Sequence, residues 1–325
     1  MTYTQEKQVA IEAVTFASVL CQAVQAETVV DSLEKNDKSP VTVADFGSQA
    51  LICQRLKAAF PNDPIVGEEH SADLQKPENA AKLMQVTHYV RRFVSEATPE
   101  GVCRWIDAGN GRVADRFWTL DPIDGTKGFL RQEQYAVALA LIEHGQVKVA
   151  VLGCPNLPLS LSDSNSPTGT LFVAVRGEGA LMAALGSHSF TAIHVVREAD
   201  KDRLRFAESV EADHGNQALQ EAVAQAAGIT QPPVRMDSQA KYGLVARGDA
   251  ALYLRLPSPK SPDYREKIWD HAAGLLVIEE AGGRVTDMNG QPLDLASDFK
   301  MNHNRGVVAS HGAQHAAVLA ALADK

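Results

Sequence analysis

What this chain of 325 residues lacks narrows its chemistry before anything it contains. It has four cysteines, Cys21, Cys53, Cys103 and Cys154, and no two of them stand in a Cys-x-x-Cys spacing. That spacing argues against a zinc ribbon or a thioredoxin-like pair and predicts buried free thiols. Positive charge is not in excess: 31 Lys and Arg face 40 Asp and Glu, a net charge of −9. With no basic run, a nucleic-acid polymer is not an expected partner, whereas small phosphorylated metabolites pose no such conflict. No apolar run approaches the length of a membrane span, and residues 1–7 lead straight into an amphipathic helix, so neither a membrane anchor nor a secretory signal is expected. The N-terminus also lacks the Arg- and Ser-rich, acid-poor character of a transit peptide, which makes the cytoplasm the expected compartment. A Gly-x-Ser-x-Gly elbow, a Walker loop and internal repeats are all missing, so serine-nucleophile and nucleoside-triphosphate chemistry find no support.

What is present is acid, set in three short motifs. Residues 116–120 (RFWTL) read as a strand that ends at Asp121 of Asp121-Pro122-Ile123-Asp124-Gly125-Thr126. Pro122 fixes φ and has no amide donor, which turns the backbone out of the sheet and frees the Ile123 carbonyl to act as a ligand. Asp124 comes three residues after Asp121, so a tight turn brings both carboxylates to one side, and Gly125 permits a conformation closed to other residues. If a helical turn starts at Gly125, Thr126 and Lys127, its free amides suit a phosphate. Glu68 closes a second strand at 64–66, and Asp270 follows Trp269 at the start of an apolar-periodic helix over 271–281. Carboxylates and a carbonyl, without a Cys or His cluster, select Mg²⁺ or Mn²⁺ over zinc. Two such ions about 3.5–4 Å apart hold a phosphoryl group and sharpen a water into a nucleophile.

Each motif also has a plainer reading. Asp-Pro and Asp-Gly are ordinary turn formers. Taken alone, Asp270 serves as a helix cap favoured by the dipole, and Asp45, opening a helix over 43–60 with an apolar stripe of Phe46, Ala50, Cys53 and Leu56, serves equally as a first-turn acid.

The order Val-Thr-x-x-Asp at 41–45, Gly-Glu-Glu at 67–69, Asp-Pro-Ile-Asp-Gly-Thr at 121–126 and Trp-Asp-x-Ala-x-Gly at 269–274 resembles the inositol monophosphatase superfamily of Mg²⁺-dependent, lithium-sensitive phosphomonoesterases. The surrounding text, SPVTVADFGSQ at 39–49, DGTKGFLR at 124–131, SQAKYG at 238–243, YLRLP at 253–257 and KIWDHAAG at 267–274, is similar to its 3′(2′),5′-bisphosphate nucleotidase branch. That branch removes the 3′-phosphate of adenosine 3′,5′-bisphosphate. The resemblance implies two or three Mg²⁺ ions: one held by Glu68, Asp121 and the Ile123 carbonyl, a second by Asp121, Asp124 and Asp270, and a third supported by Glu68. It implies that Asp45 and the Thr126 hydroxyl activate the attacking water. It points to Thr126, His214, Ser238, Lys241, Arg255 and Asp270 for the nucleotide, with Glu211 beside His214. His214 also reads as a solvated cap residue, and Lys241 and Arg255 as ordinary surface cations. An inositol phosphatase, monophosphate or polyphosphate 1-phosphatase, and a catalytically silent metal- or nucleotide-sensing protein are the competing functions. The complete set of acids argues against the silent one.

The implied fold is an α/β one, a layered α-β-α-β-α sandwich with the metal site between its halves. The halves are expected as an α+β N-terminal domain over 1–190 and an α/β C-terminal domain over 191–325. Hydrophobic content of 45% supports a full core at this length. Helices are expected at 5–27, 43–60, 79–97, 214–227, 241–247, 271–281 and 314–323. Strands are expected at 136–143, 147–153 and 171–175, with a hairpin at 144–146, a second turn at 176–179 and a surface loop at 155–169. Oligomeric state is left open.

Overall fold

Alternating apolar residues build a seven-stranded sheet, and a second, smaller sheet follows it in the chain. The computed structural model describes residues 2–27, 32–34, 40–210, 217–261 and 263–324. The first half runs α1 (Thr4–Glu27), β1 (Ser32–Glu34), β2 (Pro40–Thr42), α2 (Val43–Ala59), β3 (Ile65–Gly67), α3 (Ala80–Arg91), α4 (Pro99–Asp107), β4 (Arg116–Asp124), α5 (Thr126–Leu130), β5 (Ala136–Glu143), β6 (Gln146–Pro158), β7 (Thr168–Val175), β8 (Gly179–Ala184) and β9 (Thr191–Ile193). The second runs β10 (Arg205–Glu208), α6 (Gln217–Ala226), β11 (Gln231–Arg235), α7 (Ala240–Ala246), β12 (Leu252–Arg255), α8 (Ala272–Glu280), β13 (Arg284–Thr286), β14 (Val307–Ser310) and α9 (His315–Ala323). The large sheet has the order β3-β4-β5-β6-β7-β8-β9, in which only β3 and β4 are parallel. The small sheet has the order β11-β10-β12-β14-β13, with β10 parallel to both its neighbours.

The period of two along each strand sends side chains to opposite faces. Trp118, Leu120, Leu139, Leu141, Val151 and Val173 join a core with α1 and α2. Phe117, Ala138, Ala140, Leu152 and Phe172 face the other way, onto α7 and α8, which in turn cover Tyr253, Val307 and Ala309 of the small sheet. The far face of that sheet, with Phe206, Leu252 and Val308, is closed by Val223 of α6 and by Val318 and Leu322 of α9. The layers are therefore α-β-α-β-α. Two glycines admit close contact in the middle layer, of α7 with β7 and of α8 with α7. A Cβ on Gly243 would lie 2.4 Å from the Phe172 ring, and one on Gly274 would lie 2.3 Å from the Tyr242 ring.

Several elements depart from their expected bounds. The helix expected over 79–97 stops at Arg91, and a separate helix, α4, follows. Its start is local chemistry: Thr98 Oγ1 accepts from Gly101 N–H at 3.0 Å, and Pro99 occupies the first turn, where a missing amide costs nothing. Strands β6 and β7 extend into the expected surface loop, leaving 159–167 between them. Both expected turns close antiparallel pairs, β5 with β6 and β7 with β8, and His144 (φ +49) and Gly145 (φ +73) both take left-handed φ in the first. Contrary to the hydropathy expectation, α1 is long and apolar enough to cross a membrane by length and composition. In this fold Ala10, Val14, Ala17, Leu20 and Val24 on that helix are buried against α2 and the large sheet. All four cysteines are free and buried.

Candidate active site

Register places the first two acids. Gly67 pairs with Leu120 across the parallel β3 and β4, so Glu68 and Asp121 follow at one level on neighbouring strands. Asp121 does not end its strand, as the proline suggested. The ladder pairs Asp121 with Ala138, skips two residues and resumes at Asp124 with Ala136. Pro122 and Ile123 form the resulting bulge, since Pro122 has no amide to give the ladder. The bulge is pinned from both sides: Ser48 Oγ donates to the Pro122 carbonyl at 2.9 Å, and the Ile123 N–H donates to Asp121 Oδ1 at 3.1 Å. Gly125 then takes φ +88, and α5 begins at Thr126.

Asp45 belongs to the first turn of α2 and also reaches the site. Its Oδ2 accepts from the Thr42 N–H at 2.7 Å and from the Thr42 hydroxyl at 2.6 Å, completing a capping box. Its Oδ1 faces Thr126, whose Oγ1 lies 3.4 Å away and 3.3 Å from the Ile123 carbonyl. The cap and the candidate catalytic acid are one residue, with a separate oxygen for each duty.

Asp270 arrives from the other half in a tight turn, Ile268–Asp270, ahead of α8. Its Oδ2 accepts from Lys267 N–H at 3.3 Å and does not cap the helix. Burial, reinforced by the carboxylates of Glu266, Asp124 and Glu68 and opposed by His271, pushes its pKa up to about 7. Burial likewise raises that of Asp124, against Lys241 and the Gln239 N–H. Burial thus disfavours the charged form of acids from both halves, a cost that a divalent cation would offset. The donors are hard oxygens, so the residues fit Mg²⁺. The ligand atoms of Glu266, Asp270 and His271 also lie within 4.8 Å of one another. Glu266 is occupied as a brace, accepting from Arg255 Nε at 3.2 Å and meeting His271 Nε2 at 3.3 Å, while His271 Nδ1 meets the Tyr242 hydroxyl at 2.7 Å.

Asp124, Thr126 and Asp270 share a cavity of about 210 Å³ with Ser238, Lys241 and Arg255. Lys241 is buried. Its Nζ donates to the Met236 carbonyl at 3.1 Å and lies 5.1 Å from the centre of the Tyr253 ring. Burial brings its pKa down to about 8, against the pull of Asp124 and Asp237. Of the residues expected from the sequence, His214 and Glu211 lie outside the described residues.

Sequence reasoning gave no role to Ser48, Gln49, Gln239 or Glu266. Gln49 clasps Glu69, next to Glu68, through its N–H (3.0 Å) and carbonyl (2.5 Å). A signal existed: Ser48 and Gln49 stand three and four residues after Asp45, so they share its helical face, and polar residues on a face that is otherwise apolar need partners.

Residues 3–325 match the inositol monophosphatase family. The chain belongs to the inositol monophosphatase family. The family is metal-dependent, in keeping with the oxygen donors gathered here. Among its members, the 3′(2′),5′-bisphosphate nucleotidase of Schizosaccharomyces pombe is 44% identical over 96% of this chain and 93% of its own. That of Emericella nidulans is 42% identical over 99% and 98%. Among solved structures, the IMPase of Thermotoga maritima superposes with a TM-score of 0.68 at 20% identity, covering 99% of this chain and 98% of its own, which establishes the family fold.

Proposed function

We propose that this family member is a Mg²⁺-dependent 3′(2′),5′-bisphosphate nucleotidase that hydrolyses the 3′-phosphate of adenosine 3′,5′-bisphosphate to AMP and phosphate. Adenosine 2′,5′-bisphosphate and 3′-phosphoadenylyl sulfate are further substrates in this reading. The observation that carries it is the shared cavity, in which Ser238, Lys241 and Arg255 line one space with Asp124, Thr126 and Asp270. A bisphosphonucleotide brings one phosphate to the acids and a distant one that needs its own cations. Inositol 1-phosphate has no second phosphate for them.

Glu68, Asp121 and the Ile123 carbonyl would hold one cation, and Asp121, Asp124 and Asp270 another, with a third supported by Glu68. Cations held there offset phosphoryl charge and make water more acidic. Thr126 Oγ1, donating toward Asp45 Oδ1, orients the attacking water and passes its proton to that carboxylate. Thr42 fixes the other Asp45 oxygen, which holds the acceptor in place. Water attack forms the new P–O bond as the bond to the 3′-oxygen breaks, without a phosphoenzyme, and the 3′-oxygen takes a proton from solvent to leave as the hydroxyl of AMP. Lys241 and Arg255 bind the remote phosphate, and His214 would meet the adenosine.

The test is a phosphate-release panel with the three nucleotides, inositol 1,4-bisphosphate and inositol 1-phosphate. Strong preference for adenosine 3′,5′-bisphosphate over inositol 1-phosphate is expected. Charge-assisted contacts to phosphate contribute about 1.5–3 kcal/mol each. Lys241→Ala and Arg255→Ala should therefore cost about tenfold or more in kcat/KM on the nucleotide and far less on inositol 1-phosphate. Similar kcat/KM on both substrates would remove the nucleotidase reading and leave a metal-dependent phosphatase.

A further inference from the structure

Gln239 is almost fully buried, and it joins two segments that carry acids from opposite halves of the chain. Its backbone N–H donates to Asp124 Oδ2 at 2.5 Å. Its side-chain Nε2 donates to the Trp269 carbonyl, one residue ahead of Asp270, at 2.9 Å, and its Oε1 accepts from the Gly274 N–H of α8 at 3.3 Å. The residue before it, Ser238, takes φ +68, a left-handed conformation that is costly for a non-glycine residue and persists only where its surroundings enforce it. Those surroundings include the Asp124 loop: a Cβ on Gly125 would come within 2.9 Å of the Ser238 Cβ. The turn at 238–239 is thus pressed against one acid's loop and clamped by an amide to the other acid's turn.

We infer that Gln239 is a positioning residue that sets the separation of the Asp124 and Asp270 carboxylates and thereby the site's preference for a small divalent ion. The inference rests on the reading of those two acids as ligands of one cation. Mg²⁺ demands near-ideal geometry at about 2.0–2.1 Å, whereas Ca²⁺ accepts irregular oxygen shells at about 2.3–2.6 Å. A pair of carboxylates released from the clamp therefore loses its grip on Mg²⁺ more than on Ca²⁺. Gln239 acts through Asp124 and the Trp269-Asp270 segment, and the nucleotide phosphates are held by other side chains.

The experiment measures Mg²⁺ and Ca²⁺ binding by titration calorimetry on the metal-stripped full chain, wild type against Gln239→Met, which keeps the volume and removes both side-chain hydrogen bonds. The variant keeps the backbone bond to Asp124 and frees the segment that carries Asp270. Loss of a bond made directly to a ligand weakens metal affinity about 10–100-fold, so the loss here lies at the lower end of that range, about tenfold. That loss is expected for Mg²⁺, with a smaller one for Ca²⁺ and an unchanged KM at saturating Mg²⁺. Equal losses for the two ions, or unchanged Mg²⁺ affinity in a folded variant, would overturn the inference. Should Gln239→Met not fold, Gln239→Asn keeps the amide but falls one methylene short. The same selectivity shift, smaller, is then expected, and its absence is equally decisive against the clamp. A wild type that takes up neither ion refutes the ligand reading itself and this inference with it, an outcome distinct from a selective site indifferent to Gln239.

Discussion

At the scale of single residues, the site divides labour within side chains. Asp45 spends one oxygen on the cap of its own helix and turns the other to Thr126. Thr126 Oγ1 lies within 3.4 Å of both Asp45 Oδ1 and the Ile123 carbonyl, so one hydroxyl links the acceptor to a candidate ligand. In the proposed role of activating water, the pair would act in the transition state and contribute little to ground-state binding. Thr126→Ala and Asp45→Asn are therefore expected to lower kcat by about 10²–10⁴-fold with KM little changed. Steady-state kinetics check this split. Because Asp45 also completes the Thr42 capping box of α2, its variant should in addition be less stable, a loss Thr126→Ala should not show in a denaturant melt. Trapping a phosphorylated residue on the enzyme would contradict direct attack by water.

At the scale of elements, α9 is tied to the small sheet through a buried histidine. His315 opens α9, and its Nδ1 meets Ser310 Oγ of β14 at 2.8 Å while its Nε2 meets Thr286 Oγ1 of β13 at 2.9 Å. Burial, aided by Arg284, brings its pKa down from 6.5 to about 4. Burial shifts His311 in the same direction. The unfolded chain therefore takes up these protons before the folded one does. Stability is complete above about pH 6.5 and is lost as pH falls toward about 4, on the order of 3 kcal/mol for His315. Urea melts at a series of pH values check the slope. His315→Gln is expected to be less stable at pH 7, because two buried hydrogen bonds are disturbed, and to show a flatter decline across that window.

At the scale of the whole molecule, the site exists only where the two sheets' ends meet. Asp121 and Asp124 come from the large sheet, Glu68 from the residue after β3, and Asp270 from the turn before α8. A cation held between them, as proposed, would stabilise the folded chain alone, by about 2.7 kcal/mol at a hundred times its Kd. Melting temperature is thus expected to rise with Mg²⁺ concentration. Asp121→Asn should abolish both that rise and Mg²⁺-dependent turnover, with the fold retained in circular dichroism. A variant that keeps the full thermal shift would exclude Asp121 as a ligand.

The sequence by itself determined the acids and their elements. Glu68 at a strand's end, Gly125 in a turn and Asp45 in a helix's first turn follow from propensities and short spacings that act within a few residues. The family resemblance supplied their order and the five-layer fold. The sequence did not separate α3 from α4, because Thr98-Pro99 starts a new helix inside a segment of helical composition. It also ended β4 too soon, because a bulge held by Ser48 lets the ladder resume beyond Pro122. Only the tertiary structure decided how the halves meet. The clamp from Asp124 through Gln239 to Trp269, and the bond between Tyr242 and His271, join residues far apart in the chain. No local propensity encodes such pairs. They are set by the close approach of α7 to β7 at Gly243 and to α8 at Gly274, where burial obliges every polar group to find a partner in another segment.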